Sequence, residues 1–365
     1  MRYRALLDVF EPYGWEPSTE QIASSLGIKP GKILRLDLNT SPTPPVASLK
    51  AASKKLPKTK INLYPDTSYS SLRQAIAEYT SHDPEAIIPT NGADEAIDIV
   101  ARVFLEKDTT ALASVPTYSY FRIASELQGA RFVGVPRLEN FQDNLDGILS
   151  RLDSNTGMVF LCSPNNPTGN ITTIRDVERL CAETEACIVV DEAYYEYCKV
   201  SVQPLLRKFS NLIVIRTLSK AFGLAGARIG YILACEETVK LVNKARPPNS
   251  LGTLNIEIAH HALTHRSYMY HSVKNIVSER ERIYNVLSRI DGLEVHPSHA
   301  NFLLIRFREL DANQVYAELL KRGIVVRNLS QSQLTKNCLR VTIGLRGQNN
   351  RFLNTLNSIL TLLRR

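Results

Sequence analysis

A lysine beside two hydroxyls, followed by small residues and an arginine, stands out in the segment TLSKAFGLAGARIG (residues 217–230). The amine of Lys220 could act as a nucleophile by forming a Schiff base, because such an imine can be exchanged for a substrate amine. If the carbonyl partner were a phosphorylated aldehyde, Ser219 and Arg228 could bind its phosphate through a hydroxyl and a permanent charge. A Ser-Lys pair alone is more often an ordinary surface feature, so other motifs must support this chemistry.

Two polar residues follow apolar stretches that are typical of buried strands. Asp191 ends the stretch CIVVD, and open α/β sheets bind their ligands at the carboxyl ends of strands. A carboxylate there could keep a pyridine nitrogen protonated, although it could also be only a helix cap. Asn166 lies in SPNNPTGN, just after the strand-like GMVFLC, where a rigid turn could present its amide to a ring hydroxyl.

The stretch PTNGADEAIDIV is a candidate phosphate site. Gly92 and Ala93 precede an amphipathic helix that we expect to begin at Asp94. The backbone N–H groups at a helix start, together with the helix dipole, favour a bound phosphate. Asp94 could equally be only the N-cap of the helix, and the two roles are compatible.

Short apolar runs alternate with helix-like stretches from about residue 70 to 235, and few of these runs alternate with polar residues. This pattern predicts an α/β fold with a mainly parallel sheet covered by helices. The later strands and helices predict a smaller α+β unit. We therefore expect an N-terminal segment (1–45) packed on the small domain, a large domain (46–265) and a small C-terminal domain (266–365).

Composition excludes several classes of function. The 365 residues carry a net charge of +8, but the basic residues are scattered and do not form a nucleic-acid footprint. We find no membrane-span-length apolar run and no targeting segment, which predicts a cytoplasmic protein with no membrane partner. The six cysteines are dispersed without a CxxC pair, so we expect neither a metal site nor a structural disulfide.

Taken together, these motifs resemble the fold-type-I pyridoxal 5′-phosphate (PLP) aminotransferases of class I and II. The likeness is greatest to histidinol-phosphate aminotransferases and covers residues 60–365. The stretches that carry it are YPDTSYSSLRQAIAEY, TNGADEAIDIVARVF, PTYSYFRIASELQGA, SPNNPTGN, DEAYYEY, TLSKAFGLAGARIGY, HANFLLIRF and CLRVTIG. The resemblance implies PLP as the cofactor and a role in amino-acid biosynthesis.

The resemblance also implies a role for each motif residue. Lys220 would carry the cofactor as an internal aldimine and then move a proton between the substrate α-carbon and cofactor C4′. Asp191 would pair with the pyridine nitrogen, and Tyr118 would stack on the ring. The ring hydroxyl would be bound by Asn166 and Tyr194, and the phosphate by the amides of Ala93 and Asp94, the hydroxyls of Thr217 and Ser219, and Arg228.

Three further positions concern the partner subunit and the substrate. Tyr64 matches a residue that reaches the cofactor phosphate of the neighbouring subunit, which implies a homodimer. Arg340 matches the arginine that binds the anionic group of the substrate, and Arg327 lies at a spacing that the family shares. Two family tyrosines at the substrate-phosphate end are replaced, one near Thr43 and one by Asn249. Tyr13 or Trp15 could substitute for them.

The resemblance favours transamination from histidinol phosphate, or a similar small-molecule amino donor, to the keto acid 2-oxoglutarate. A PLP-dependent decarboxylase of an amino-acid phosphate and an aromatic amino-acid aminotransferase would share every cofactor residue, so both stay open. A transcription regulator is disfavoured because the N-terminal segment leaves no room for a winged-helix domain. A nicotinamide enzyme is disfavoured because GLAGARIG lacks the GxGxxG spacing.

Overall fold

The computed structural model describes residues 1–2, 4–330 and 332–364. The strands are β1 (Leu34–Leu36), β2 (Ile87–Thr90), β3 (Thr110–Val115), β4 (Arg131–Pro136), β5 (Thr156–Cys162), β6 (Cys187–Asp191), β7 (Leu212–Thr217), β8 (Gly230–Leu233), β9 (Leu293–His296), β10 (Phe302–Phe307), β11 (Ile324–Asn328) and β12 (Cys338–Thr342). They form a sheet of seven strands and a sheet of five strands.

The helices connect and cover these strands. They are α1 (Thr19–Leu26), α2 (Val46–Lys55), α3 (Ser70–Thr80), α4 (Gly92–Phe104), α5 (Tyr120–Gln128), α6 (Leu145–Leu149), α7 (Ile174–Glu183), α8 (Tyr195–Cys198), α9 (Glu236–Val242), α10 (Thr253–Thr264), α11 (Ser267–Leu287), α12 (Ala312–Lys321) and α13 (Arg346–Leu363). Short 3₁₀ helices span Ala5–Asp8, Pro30–Lys32, Leu56–Lys58, Pro84–Ala86, Gln203–Arg207, Ala225–Ala227, Asn243–Ala245 and Gln333–Thr335.

The larger sheet has the strand order β2-β8-β7-β6-β5-β3-β4. The strands from β4 across to β7 pair in parallel, whereas β8 runs antiparallel to both of its neighbours. Every residue of β6, β7 and β8 is buried, because helices cover both faces of the sheet. The predicted α/β architecture with a mainly parallel sheet is therefore confirmed.

The smaller sheet has the order β1-β11-β12-β10-β9 and is antiparallel except for the pair of β1 with β11. Its edge strand β1 comes from the N-terminal part of the chain, so residues before the large sheet contribute to the small one. The domain boundaries at 45 and 265 stay predictions. Within the described residues, no helix has both the length and the apolar character needed to cross a bilayer.

Candidate active site

The carboxyl ends of adjacent parallel strands in the larger sheet meet at one pocket. Cys162 at the end of β5 lies opposite Asp191 at the end of β6. Asp191 in turn lies opposite Ile215 of β7, which ends at Thr217 just before Lys220. The pocket has a volume of about 340 Å³ and is lined by every site residue predicted from the sequence except Tyr64: Ala93, Asp94, Tyr118, Asn166, Asp191, Tyr194, Thr217, Ser219, Lys220, Arg228, Arg327 and Arg340.

Lys220 lies half-buried in the turn after β7. Its Nζ donates to the carbonyl of Leu38 over 3.4 Å and lies 5.7 Å from the centre of the Tyr194 ring. Desolvation by burial, reinforced by the positive charge of Arg340, lowers the pKa of the Lys220 amine to about 8. This is the direction expected for an amine that must be neutral to act as a nucleophile.

Asp191 is only 4% exposed, and its pKa is raised, whereas that of Lys220 is lowered. Burial raises the pKa of its carboxyl to about 7, although a hydrogen bond from the Ala193 N–H, 2.9 Å away, favours the charged form. Asp94 raises this pKa further, whereas Lys220 lowers it. A buried carboxyl of this kind is suited to a partner that brings its own proton, such as a pyridine nitrogen.

Helix α4 begins at one side of the pocket, and its start differs from the predicted one. The expectation that the helix begins at Asp94 is wrong, because the helix begins at Gly92 with Asn91 as N-cap. Asp94 lies instead in the first turn, where its carboxylate accepts from Arg228 Nη2 at 2.8 Å and from the Tyr118 hydroxyl at 2.9 Å. Only Asn91 separates β2 from the helix, and a helix start is hard to assign to within two residues from sequence alone.

Gly92 permits a close approach that a larger residue would block. Its φ is +82°, and a Cβ atom there would lie 2.5 Å from Arg228 Nη2. On the other side, the Ser219 N–H donates to Thr217 Oγ1 at 3.1 Å, and the two hydroxyls lie 2.9 Å apart. Free N–H groups of a helix start, two hydroxyls and a guanidinium form a donor set that fits a phosphate.

Asn166 and Tyr194, the residues predicted to bind a ring hydroxyl, are held by polar partners from distant parts of the chain. Asn166 Oδ1 accepts from Arg340 Nη1. The hydroxyl of Tyr194 accepts from Asn39 Nδ2 at 3.0 Å, and Thr342 Oγ1 donates to Asn39 Oδ1 at 3.0 Å. The sequence analysis did not identify Asn39. The one feature of the sequence that could have pointed to it is its position just after the apolar residues of β1.

The far end of the pocket contains the two predicted substrate arginines, and the structure places them together. Arg327 and Arg340 lie directly opposite each other on β11 and β12. Arg340 is buried and donates to the carbonyl of Asp37 over 2.6 Å, while Arg327 forms an ion pair with Glu16. Burial lowers the pKa of Arg340, and Arg327 acts in the same direction. The sequence analysis did not identify Glu16 as a site residue.

Three positions that the sequence analysis identified as relevant to the partner subunit or the substrate lie outside this pocket. Tyr64 is 84% exposed and belongs to an exposed stretch that includes Ile61 and Leu63. Thr43 contacts the hydroxyl of Tyr268 at 2.6 Å. Asn249, where the family resemblance leads us to expect a tyrosine, adopts a left-handed backbone conformation with φ of 56°. Of the two aromatic residues considered as replacements for the missing tyrosines, Tyr13 lines the pocket.

Comparison with known proteins agrees with this geometry. The sequence model of the family described as aminotransferase class I and II matches residues 31–356. A histidinol-phosphate aminotransferase of Ruminiclostridium cellulolyticum is 39% identical over 332 residues, covering 89% of this chain and 92% of the relative.

Two solved structures are also similar. The histidinol-phosphate aminotransferase of Sinorhizobium meliloti in complex with pyridoxal-5′-phosphate superposes with a TM-score of 0.87 at 26% identity, covering 99% of this chain and 98% of that one. The L-threonine-O-3-phosphate decarboxylase of Porphyromonas gingivalis superposes with a TM-score of 0.79 at 26% identity, covering 90% and 100%. The chain therefore belongs to the class I and II aminotransferases and is a PLP-dependent aminotransferase of fold type I.

Proposed function

We propose that this protein transfers the amino group of histidinol phosphate, or of a similar donor, to 2-oxoglutarate, with Lys220 as the residue that holds the cofactor. The observation that carries this proposal is the pairing of Lys220 and Asp191 in one pocket with opposite pKa shifts. The amine is shifted toward the neutral form that a nucleophile needs, and the raised pKa of the carboxyl is that of a buried anion without an adequate cationic partner, the place that a protonated ring nitrogen would take.

When bound, PLP supplies an electrophilic aldehyde and an electron-withdrawing ring. The proposed task of Lys220 is to hold the cofactor covalently and then to accept and return the proton of the donor's α-carbon. A pKa of about 8 allows the amine to do both at neutral pH. Asp191 would hold the proton of the ring nitrogen, because a buried anion beside that nitrogen favours its charged form.

The remaining cofactor residues position the group. We assign the phosphate to the start of α4, to the hydroxyls of Thr217 and Ser219, and to Arg228. Asp94 holds one of these phosphate ligands in place, because its carboxylate accepts from Arg228. The same carboxylate also accepts from the Tyr118 hydroxyl. That bond fixes the ring of Tyr118 against the pocket, where it can stack on a flat ligand.

We assign the acidic groups of the two substrates to Arg340 and Arg327. A guanidinium binds a carboxylate or a phosphate through two parallel hydrogen bonds, and both arginines line the pocket that contains Lys220. The name of the R. cellulolyticum relative supports histidinol phosphate as the donor and hence a role in histidine biosynthesis. The cytoplasmic location stays a prediction from the sequence.

We further propose that the protein acts as a homodimer in which Tyr64 reaches the neighbouring active site. The residues around it form an exposed stretch rich in large apolar side chains: Leu56, Ile61, Leu63 and Tyr64. Exposed apolar side chains grouped in this way are typical of protein interfaces. Analytical ultracentrifugation tests the dimer, and a monomer at micromolar concentration would contradict it.

An amino-donor screen of the purified holoenzyme tests the reaction. Histidinol phosphate and the aromatic amino acids are each added without keto acid, and the absorbance of the cofactor is followed. We expect histidinol phosphate to convert the cofactor to its pyridoxamine form, and 2-oxoglutarate to reverse this change. If no donor converts the cofactor, the proposed transamination is wrong even if PLP is bound.

A decarboxylase acting on an amino-acid phosphate is the second candidate. It is favoured by the similarity to the P. gingivalis enzyme, whose identity to this chain is the same 26% as that of the S. meliloti aminotransferase. The two reactions differ in which bond to the donor's α-carbon is broken. Release of CO₂ without a keto acid would support decarboxylation, whereas amine transfer that depends on a keto acid would support transamination.

A further inference from the structure

The two substrate arginines are compensated in different ways. Arg327 and Arg340 occupy opposite positions on adjacent antiparallel strands, and like charges at such positions repel each other. Arg340 is compensated by neutral acceptors, the carbonyl of Asp37 and the side-chain oxygen of Asn166. Arg327 is compensated by the carboxylate of Glu16, which carries a full negative charge.

Glu16 belongs to an N-terminal segment, residues 11–17, that lies outside the helices and strands. Within this segment Tyr13 and Glu16 are half-buried, whereas the other residues are exposed. Both half-buried side chains line the pocket, and the ring of Tyr13 packs edge-on against Tyr118 with centroids 6.5 Å apart. These two side chains connect the segment to the pocket, while the carbonyls at its two ends, those of Glu11 and Pro17, accept from Arg122 Nη2 and Arg35 Nη1, each at 3.1 Å.

We propose that Glu16 is an internal counter-ion that occupies Arg327 and competes with the distal anionic group of the substrate. It would thereby determine how strongly the pocket prefers a donor with a doubly charged phosphate over the same donor without it. This inference rests on the proposed function, because it concerns the donor that the same pocket binds. Glu16 is in this account a specificity-determining residue and takes no part in the chemical step.

The competition follows from charge and exposure. A phosphate dianion can reach Arg327 only if Glu16 moves away or remains as a like charge beside it, and both alternatives weaken binding. The side chain of Glu16 is 24% exposed and that of Arg327 is 32% exposed, so the carboxylate can move into solvent. Glu16 therefore lowers the affinity for phosphate without excluding it, and its displacement releases one contact between the segment and the pocket.

A purely structural role for the ion pair predicts a different outcome. If Glu16 only anchored residues 11–17, its loss would loosen Tyr13 and would weaken binding of every donor. If Glu16 is a counter-ion, its loss should strengthen binding of a phosphorylated donor selectively. The matched pair histidinol phosphate and histidinol separates the two roles, because these donors differ only in the phosphate.

The first experiment measures the dissociation constants of both donors for the holoenzyme, by the change in cofactor absorbance. For Glu16→Gln we expect the constant for histidinol phosphate to fall about fivefold, which corresponds to about 1 kcal/mol, and the constant for histidinol to stay unchanged. Glu11→Gln is the control, because it removes the same charge from an exposed position of the same segment. Glu16→Ala should likewise lower the constant for histidinol phosphate and leave that for histidinol unchanged, and thermal unfolding verifies that each variant is folded.

The second experiment does not require turnover. The chain contains one tryptophan, Trp15, which is adjacent to Glu16 and 86% exposed, with its ring centroid 5.9 Å from that of Tyr13. Its fluorescence should therefore report movement of the segment when the holoenzyme is titrated with inorganic phosphate. We expect the midpoint of the emission change to occur at about fivefold lower phosphate in Glu16→Gln than in the wild type.

Two results would overturn the counter-ion role. One is a Glu16→Gln variant that binds histidinol phosphate no better than the wild type does, or that binds both donors more weakly. The other is an emission midpoint for phosphate that is the same in both proteins. Because the fluorescence titration needs no reaction, the expected shift in an enzyme that converts no donor would refute the transamination proposal and leave the counter-ion role intact.

Discussion

At the cofactor end of the pocket, Asp191, Thr217 and Lys220 lie at or just beyond the ends of adjacent strands of one sheet. At the substrate end, Arg327 and Arg340 come from the small sheet, and Glu16 comes from the N-terminal segment. Parallel strands bring their carboxyl ends together by backbone geometry alone. The substrate end, in contrast, depends on how separate parts of the chain pack against each other.

The two ends also differ in how they respond to protons. Burial brings the pKa of Lys220 to about 8 and that of Asp191 to about 7, so both groups titrate near neutral pH. The guanidinium groups of the substrate end stay charged throughout that range. A change of pH should therefore alter the chemistry at the cofactor end, whereas substitutions that remove a charge should alter substrate affinity at the substrate end.

The largest effect is expected from removing the amine at the cofactor end. Lys220→Ala should lower kcat by at least about 10³–10⁴-fold, because no other group would hold the cofactor or move the α-proton. Steady-state transamination with histidinol phosphate and 2-oxoglutarate measures this loss. Lys240→Ala, at a position that is 73% exposed, is the matched control and should retain full activity.

The next largest effect should come from Asp191→Asn. An amide cannot stabilise the protonated ring nitrogen as a buried carboxylate does, so kcat should fall by about 10²–10³-fold. The same kinetic assay tests this, and equilibrium dialysis of PLP shows whether the variant still binds the cofactor. Full activity of Asp191→Asn would contradict the proposal that Asp191 is the partner of the ring nitrogen.

At the substrate end the effects should appear in KM. Arg340→Gln should raise the KM for 2-oxoglutarate by about 30-fold or more, because Arg340 is buried and its loss leaves a desolvated anion unpaired. Arg327→Gln should raise the KM for histidinol phosphate by about fivefold, since this arginine is one-third exposed. A larger effect at Arg327 than at Arg340 would reverse the assignment.

The pH dependence of cofactor loading tests the pKa of Lys220. The neutral amine is the reactive form, and a lowered pKa means that this form is populated once the pH exceeds about 8. The rate constant for PLP uptake by cofactor-free protein should therefore rise about tenfold from pH 7 to pH 9 and then level off. A rate that continues to rise steeply toward pH 10.5 would indicate a lysine of ordinary pKa.

The smallest effect concerns the partner subunit. Tyr64→Phe should weaken PLP binding by about threefold, near the lower end of what a single hydrogen bond contributes, and should leave thermal stability unchanged because the side chain is exposed. Tyr270→Phe, at another exposed tyrosine, is the control. Equal PLP affinity for Tyr64→Phe and the wild type would argue against the contact across the dimer.

The same difference between the two ends of the pocket determined how much of the site could be predicted from the sequence. The strands that end at Asp191 and Thr217 begin with the apolar runs CIVV and LIVI, so both the sheet and the residues at its edge were recognisable. Glu16 could not be paired with Arg327, because 311 residues separate them and neither lies in a motif that specifies the other. Asn39 was missed for the same reason, since its partners Tyr194 and Thr342 are reached only through tertiary packing.

Covalent attachment of the cofactor is the central claim, and reductive trapping tests it most directly. The holoenzyme is reduced with borohydride, digested and analysed by peptide mass spectrometry. We predict one pyridoxyl group, located on Lys220 of the peptide that contains TLSKAF. A pyridoxyl group on another lysine, or no modification in a protein that shows the cofactor's absorbance, would contradict the account.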